Sequence, residues 1–515
     1  MTEQQKKDIF PPTQPRGTEL FRLGLAASVA TVLAAAAGVG ALVLLIIWLL
    51  VGRPDLERVE YVSLSAGLNA IKLAGGLVLG VGGSVALVVA YRRQRLGEEE
   101  HLRQDQASQR DRTRLYNERF ARAADQLGSE RAAVRLAGIY SMAGLGDDWE
   151  EGRQACIDVL CAYLRMPFRP QGSLPAFERP THARPRPWEA VVKTPDEATS
   201  SPLVAASEAQ VRSSVIQVFR DRLWTGADVA WHGAYLDFTG AVFEDASFDG
   251  MDFTDCVVKF DDCLFLGECG FSETTWRRTE ASFLGSVFGG RLGFEYSTIE
   301  ESDITLYGDF TECTDANFQG LTFTSGQLRL LGPRDHGGSV SFVEANLAGG
   351  ELTLHPSTLH KDSSIAFSRS VISGTRVTIE GGKHTAGNIW CNGVKVRGGS
   401  ITLGAVHWAW EPVVLEGVEF SFDGALVTGG EIALRKVRIA GSDVHFDDLE
   451  MSGGRLDLSM CELTSGTLRF DNPTITGGEV AIDDPSGPTP MSAVARALEL
   501  AGASIAAQTD TQTAP

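Results

Sequence analysis

Residues 423–470 read DGALVTGGEIAL, RKVRIAGSDVHF, DDLEMSGGRLDL and SMCELTSGTLRF when they are written as units of twelve, and the four units align without a gap. Each unit holds two apolar residues separated by one residue, then one or two small residues that are mostly glycine, then a second apolar pair. Alternation within a unit predicts β-strands, and a fixed short period predicts that the strands stack. The stretch therefore predicts a stacked β architecture.

The twelve-residue spacing extends from about Gly289 to Ile482, with phase slips near residues 355–363 and 412 that predict enlarged corners. Two units would make one square coil of about 24 residues; a coil per unit or an antiparallel meander with glycine turns are the alternatives. The second apolar pairs form two series: Leu292/Phe294, Ile304/Leu306, Ala316/Phe318, Leu328/Leu330, Val340/Phe342 and Leu352/Leu354, and then Phe420/Phe422, Ile432/Leu434, Val444/Phe446, Leu456/Leu458, Leu468/Phe470 and Val480/Ile482.

A shorter period precedes these units. Phenylalanine recurs every five residues at Phe238, Phe243, Phe248 and Phe253, and a mostly small residue stands two positions before each. This pattern resembles the pentapeptide-repeat family, specifically over residues 233–290. The resemblance implies a right-handed β-helix in which five residues form one side of a square coil and the aromatic ring lies inside. Because the short repeats run directly into the longer ones, we predict one β-solenoid over residues 224–482. Its predicted core comprises Phe238, Phe243, Phe248, Phe253, Phe283, Phe288, Phe420, Phe422, Ile432, Leu434, Val444, Phe446, Leu456, Leu458, Leu468 and Phe470.

The N-terminal part contains two uncharged stretches, residues 23–52 and 73–91. They are 30 and 19 residues long, enough for a helix to cross a bilayer, so they predict a two-helix transmembrane hairpin. Basic residues are more numerous outside the hairpin than in its connecting loop, which predicts that both ends face the cytoplasm. The expected location is the cell membrane, multi-pass, with both termini and the β-solenoid cytoplasmic and the lipid bilayer as a partner.

The remaining segments complete a multi-domain α + β fold. We predict a cytoplasmic tail (1–22), a polar stalk helix (92–128), a helical domain (129–166), a Pro-rich linker (167–202), a helix capping the solenoid (203–223) and a mostly disordered tail (483–515) with a short helix at 491–501. The hairpin and the motifs RFARAADQLGSERAAVRLAGIYSMAGLGDD (119–148) and VRSSVIQVFRDRL (211–223) resemble a group of actinobacterial membrane-anchored pentapeptide-repeat proteins. That resemblance implies no particular biochemical activity.

Charge limits the function classes. The chain has a formal net charge of -20, and residues 228–479 contain 37 acidic and 17 basic residues. Direct nucleic-acid binding needs a basic surface and is not expected. The acidic excess serves solubility or engages a basic groove of a partner protein. The eight cysteines form no CxxC motif and predict structural thiols in a reducing compartment.

Catalytic motifs are lacking: the sequence has no GxSxG, Walker A or HExxH motif. The acidic pairs Asp261/Asp262 and Asp447/Asp448 fall at predicted turns, and histidines of the repeats such as those at positions 355, 360, 384, 407 and 445 are single. Trp408 and Trp410 point the same way and serve either as core or as a ligand-stacking platform. We therefore predict no catalytic, cofactor or metal site and no enzymatic activity.

Three functions remain open. The first is a non-enzymatic, membrane-anchored scaffold or regulator whose acidic β-solenoid binds an unknown protein partner. The second is a regulator that mimics nucleic acid and binds a DNA-binding enzyme such as gyrase, as the family resemblance implies for some members. The third is a glycan-active β-helix enzyme. The sequence does not determine the oligomeric state.

Overall fold

The computed structural model describes residues 63–170, 202–310, 315–332, 338–355, 363–381, 383–404, 412–459, 461–482 and 490–500, with positions 186, 188, 189, 313, 359, 361, 502, 505–507 and scattered helical positions between 30 and 49. The chain divides into two compact units, Met1–Leu115 and Tyr116–Pro515.

Helix α1, Leu64–Leu127, is a single helix of 64 residues. Within the part of the chain that the structure describes, no helix combines the length and the apolar character needed to cross a membrane. The predicted transmembrane hairpin is therefore wrong. Its second span, 73–91, is one segment of α1, which continues into the polar stalk sequence, and five residues of that span are glycines that add no apolar side chain. Most of its first span, 23–52, lies outside the described residues.

The helical part of the second unit comprises the end of α1, α2 (Ala132–Asp148), a 3₁₀ turn (Glu150–Gly152), α3 (Arg153–Arg165) and α4 (Pro202–Arg222). Apolar residues at helical spacing, such as Ile139 and Met142 in α2 and Leu160 in α3, are fully buried. Helix α4 packs on the first coil of the solenoid, where Phe219 meets Phe238 edge-to-face with ring centroids 5.5 Å apart. This contact covers the open end of the β-stack.

The rest of the unit is a β-solenoid. In chain order its strands are β1 Tyr235–Asp237, β2 Val242–Glu244, β3 Val257–Lys259, β4 Leu264–Gly270, β5 Thr275–Arg277, β6 Glu280–Gly293, β7 Thr298–Glu300, β8 Ser302–Asp309, β9 Asp315–Asn317, β10 Thr322–Phe323, β11 Gly326–Leu331, β12 Ser339–Ser341, β13 Asn346–Leu347, β14 Glu351–His355, β15 Ser364–Ala366, β16 Val371–Ile372, β17 Arg376–Ile379, β18 Lys383–His384, β19 Asn388–Trp390, β20 Lys395–Val396, β21 Ser400–Gly404, β22 Val413–Leu415, β23 Glu419–Ser421, β24 Leu426–Val427, β25 Glu431–Arg435, β26 Val437–His445, β27 Glu450–Leu458, β28 Glu462–Arg469, β29 Thr474–Ile482 and β30 Ile505–Ala507.

Each coil passes through four parallel sheets, which we name faces A, B, C and D in the order the chain visits them. Face A contains β1, β3, β8, β11, β14, β17, β21, β25 and β30. Face B contains β2, β18 and β22. Face C contains β9, β12, β15, β19 and β23. Face D contains β5, β7, β10, β13, β16, β20 and β24. The longer strands turn a corner: β8 runs from A into B, β4, β26 and β28 run from B into C, β27 and β29 run from D into A, and β6 passes through A, B and C.

The register of face A gives the length of a coil. Ile304 pairs with Leu328 and Leu328 with Leu352, so the chain returns to this face after two twelve-residue units. The prediction that two such units make one coil is confirmed, and the parallel pairing excludes a meander.

The coils of the five-residue region are slightly shorter. Leu236 pairs with Val258 and Val258 with Ala281. The first pair is separated along the chain by two residues fewer than two twelve-residue units, and the second pair by one residue fewer. We call this separation the coil step. Neither step is the multiple of five that the family resemblance implies. The right-handed winding stays a prediction.

One coil is longer than the others. On face A, Val377 pairs with Ile401 and Ile401 with Ile432, so the second step is seven residues longer than the first. The adjacent ladders on the other three faces lengthen in the same way. The extra residues enter between Gly404 and Val413, at the corner from face A to face B. The two apolar series separated in the sequence therefore belong to one continuous β-stack.

Stacked aromatic rings fill the interior. One column runs through six consecutive coils with neighbouring ring centroids 4.7–5.0 Å apart: Phe248, Phe271, Phe294, Phe318, Phe342 and Phe367. This spacing matches the distance of about 4.8 Å between paired strands. The predicted core residues are at most 2% exposed, apart from Leu468 at 9% and the partly buried Phe470.

The corner from face D to face A explains the glycine pairs. Gly454 has φ +79°, and a Cβ there would lie 2.6 Å from the carbonyl oxygen of Gly430 in the preceding coil. At Gly453, where φ is not positive, a Cβ would lie 2.7 Å from the carbonyl oxygen of Thr428. Both distances are shorter than any normal van der Waals contact, so residues 453 and 454 approach the preceding coil this closely only because they are glycines.

The C-terminal end is also covered. Helix α5, Pro490–Leu500, buries Met491, Val494 and Leu498, and β30 then pairs in parallel with β29. A strand in this segment is a departure from the sequence expectation of a mostly disordered tail after residue 482.

Candidate interaction surface

Aspartates at the corners hold successive coils together. Asp249 Oδ1 accepts the Ser272 N–H at 2.8 Å, and Asp261 Oδ1 accepts the Leu284 N–H at 2.9 Å, each from the next coil. A carboxylate here satisfies a backbone donor that the turn leaves without a strand partner. Part of the acidic composition is therefore structural.

The two acidic pairs singled out in the sequence lie at such corners. Asp262 and Asp448 have φ +53° and +54°, the left-handed conformation that aspartate tolerates in turns. Asp447 Oδ1 accepts the Asp471 N–H at 2.9 Å. A turn role accounts for both pairs.

The acidic charge is concentrated in the first coils. Residues 228–315 contain 19 acidic and 4 basic residues, whereas residues 316–479 contain 18 and 13. In the later coils arginines neutralise carboxylates of neighbouring coils, as in Arg438–Glu462 at 2.7 Å and Arg455–Glu479 at 2.9 Å. In the first coils, six exposed carboxylates have no lysine, arginine or histidine of the described residues within 4.0 Å: Asp245, Glu268, Glu273, Glu280, Glu301 and Asp303.

A buried carboxylate shows how the later coils differ. Asp457 is only 3% exposed, and Arg435 Nε lies 3.0 Å from its Oδ2. Burial raises the pKa of Asp457, but hydrogen bonds from Ser459 and Arg435 outweigh it and hold the pKa below its ordinary value. This charge is therefore internal to the fold and does not face a partner.

Face B is partly covered by the Pro-rich linker. Its outward side chains Val242, Leu264, Leu266 and Val287 are apolar, and they form a second buried cluster with Phe168 and Trp188. Trp188 Nε1 donates to the carbonyl oxygen of Asp262 at 2.7 Å. The composition of residues 167–202 predicts only a linker and not this contact. The signal was present at Leu264-Phe265-Leu266, where apolar residues on both sides of the inward Phe265 leave no polar outer face.

A cavity of about 130 Å³ lies between α4 and the first coils, lined by Phe168, Arg212, Arg220, Val242 and Asp245 among others. The Arg212 guanidinium donates to the carbonyl oxygens of Leu164 and, at 3.1 Å, of Val242, and it lies over the Phe168 ring. Burial lowers the pKa of Arg212 to about 10. Arg212 thus provides a hydrogen-bond donor to a carbonyl group in the last turn of α3 and, through Val242, joins the helical part to the solenoid.

The histidines are dispersed. His355 is exposed, His445 is half-buried, and His384 points into the interior of face B, where its Nδ1 accepts the Leu359 N–H at 3.3 Å. Burial, with a smaller effect of His355, lowers the pKa of His384 to about 4. Its Nε2 has no hydrogen-bond partner among the described residues. His360, His407, Trp408 and Trp410 lie outside the described residues.

The eight cysteines are all buried. Burial raises the pKa of the Cys156 and Cys256 thiols to about 11 and that of Cys269 and Cys313 to about 12. These four cysteines are therefore not activated thiolates at neutral pH. Cys391 takes the place of the ring in the aromatic column between Phe367 and Phe422 and acts as a small apolar residue.

Over the described part of the chain, no group of three His, Cys, Asp or Glu side chains is arranged to hold a metal ion. Comparisons of the chain with protein-family models, with characterised proteins and with solved structures find no match. The β-solenoid is compatible with a pentapeptide-repeat fold.

Proposed function

We propose that this protein is a non-enzymatic docking protein whose first solenoid coils bind a basic segment of a partner protein. The observation that carries the proposal is the concentration of charge: 19 acidic against 4 basic residues over 228–315, with six exposed carboxylates lacking a cation among the described residues. A surface of this kind attracts a cationic partner over a distance of about 10 Å at moderate salt.

The scaffold supports this use of charge. Glu268 and Glu301, for example, lie in or beside parallel strands whose backbone is fixed by the coils on either side. Binding then orders few groups of the solenoid, and little of the attraction is lost as conformational entropy. In the first coils Phe168 and Trp188 cover the outward apolar side chains of face B, so faces A, C and D are the more open ones for a partner.

A nucleic-acid mimic would draw on the same charge, but it would distribute carboxylates along the β-stack as phosphates are distributed along a duplex. Residues 228–315 contain 19 acidic and 4 basic residues, whereas residues 316–479 contain 18 and 13. The negative charge is therefore concentrated in the first coils, which favours a local docking surface.

The test is a charge-neutralising variant, E268Q/E273Q/E301Q, compared with E419Q/D448N/E450Q in the later coils. All six side chains are exposed and have no ion pair among the described residues. Proteins captured by the full-length wild type would be identified and their binding quantified at two salt concentrations. We expect the first variant to weaken binding roughly tenfold, from about 0.5 kcal/mol per exposed charge pair. Equal binding by wild type and both variants, at both salt concentrations, would refute the proposal.

A further inference from the structure

Face A repeats one arrangement of outward side chains over four consecutive coils. Each strand has a polar and mostly acidic residue, then a hydroxyl or arginine two positions on, then a larger residue two positions after that. The four sets are Glu280/Ser282/Leu284 in β6, Asp303/Thr305/Tyr307 in β8, Gln327/Arg329/Leu331 in β11 and Glu351/Thr353/His355 in β14.

The strand register aligns these sets into rows. Glu280 pairs with Asp303, Asp303 with Gln327 and Gln327 with Glu351. We name these four residues the acidic row after its three carboxylates, of which Glu351 forms an ion pair with Arg376. Leu284 pairs with Tyr307, Tyr307 with Leu331 and Leu331 with His355, and we name these the apolar row. Neighbours in a row are one strand spacing apart, so the apolar side chains form a contiguous stripe.

The apolar row is open to solvent. Leu284 is 46% exposed and Tyr307 44% exposed, and Leu331 is partly buried. Asp261, which accepts the Leu284 N–H, stands at one end of the row, and Glu380, whose N–H donates to the Leu354 carbonyl, stands at the other. The carboxylates of Glu280 and Asp303, which have no ion pair among the described residues, border the apolar stripe along one side, and acidic residues stand at both of its ends. Such a surface is complementary to a partner that is both apolar and basic.

We propose that these two rows bind an amphipathic α-helix with one apolar and one lysine- or arginine-rich face. The inference rests on the proposed docking function and assigns its surface and the class of its partner. Two residues four apart in a strand are about 13 Å from each other, close to the 10–12 Å diameter of a helix. A helix along the rows would place its apolar face on Leu284 and Tyr307 and its basic face toward Glu280 and Asp303.

The dimensions along the rows agree as well. Four coils span three strand spacings, about 14 Å, which is the length of roughly ten helical residues. The helix pitch of about 5.4 Å is near the strand spacing of about 4.8 Å, so successive helical turns meet successive coils. This is helix-in-groove recognition with apolar anchors at i, i+3, i+4 and i+7.

The experiment uses the full-length protein and a fluorescent 14-residue peptide of leucine and lysine, with the leucines on one helical face. The control peptide has the same composition in an order that gives no amphipathic helix. We expect L284S/Y307S to lower affinity for the amphipathic peptide at least about tenfold. We expect E280Q/D303N to lower it as well and to reduce its salt dependence, while E419Q/D448N/E450Q leaves it unchanged. Thermal unfolding of each variant shows that the exposed substitutions leave the fold intact.

The outcomes separate this inference from the docking function. L284S/Y307S could bind the peptide like wild type while E268Q/E273Q/E301Q loses the captured partner. That result would support the acidic docking function and refute the binding of a helix by the two rows. If the control peptide binds as well as the amphipathic peptide, the proposal that the partner is an amphipathic helix is refuted. If sedimentation shows a wild-type dimer that L284S/Y307S converts to monomer, a second copy covers the apolar row and the proposed partner is wrong.

Discussion

The glycine pairs at the corner from face D to face A give the sharpest test of how the coils stack. Three alanine substitutions separate two effects that glycine can have. Gly441 has φ +74° and nothing within 4 Å of a Cβ, so G441A adds backbone strain alone. Gly453 has no positive φ but lies under the Thr428 carbonyl, so G453A adds a steric conflict alone. Gly454 combines the two.

The expected magnitudes follow from these geometries. The left-handed conformation costs an alanine about 1–2 kcal/mol. A Cβ placed 2.7 Å from a carbonyl oxygen forces the coils apart at a cost of about 1–3 kcal/mol, as in an overpacked core. G454A should therefore lose about 2–5 kcal/mol of unfolding free energy, the sum of the two effects. The gain of about 0.4–1 kcal/mol from restricting the unfolded chain applies to all three variants and cancels in the differences between them.

Urea unfolding of the full-length chain, followed by circular dichroism, measures these free energies. G454A should be the least stable variant. Its loss should exceed the sum of the losses in G441A and G453A by about 0.4–1 kcal/mol, because that sum counts the gain from restricting the unfolded chain twice. If G454A loses no more than G441A, the approach of the preceding carbonyl is not what requires glycine. If G453A is as stable as wild type, the same conclusion follows from a position without backbone strain.

Three further predictions concern the core, the linker and pH. F318A should lose about 3–5 kcal/mol of unfolding free energy in urea, because the Phe318 ring is stacked on both sides. F470A should lose less, because Phe470 is partly buried at the end of its column. Equal losses would contradict the role of stacking. W188A should uncover the outward apolar cluster of face B and increase binding of the dye ANS, and unchanged dye binding would show that the linker does not shield it. Burial lowers the pKa of His384 from 6.5 in the unfolded chain to about 4 in the folded protein. Between pH 6.5 and pH 4, His384 is therefore protonated in the unfolded chain and neutral in the folded protein. Stability is therefore lost as the pH falls from 6.5 toward 4, by about 3 kcal/mol from this group. H384L should remove that share of the pH dependence in urea titrations at pH 7.5 and 4, and an unaltered pH profile would contradict it.

The β-stack could be predicted because its rules are local. Alternation within a strand decides which side chains are inside, and the close approach of coils places one or two glycines at the corner from face D to face A in every other unit. These constraints recur at one spacing, so units such as 423–434 and 447–458 reveal the two-unit coil without any knowledge of distant contacts.

Features that depend on distant contacts could not be predicted. Trp188 reaches Val242 and Leu264 across more than fifty residues, and nothing in the linker's composition specifies that contact. The alignment of Leu284 with Tyr307 depends on a coil step one residue shorter than two twelve-residue units, which neither repeat period implies. The membrane prediction was wrong because it judged two uncharged stretches by their length alone, while the second is part of one helix that becomes polar.

The long coil between Ile401 and Ile432 separates distance along the chain from distance in space. It takes up seven more residues than the coils before and after it, yet the next strand of every face is found in register. The interval between Gly404 and Val413 is thus a natural insertion site. A foreign peptide grafted there would be displayed from one corner of the β-stack, while the strands before and after it continued to pair as neighbours.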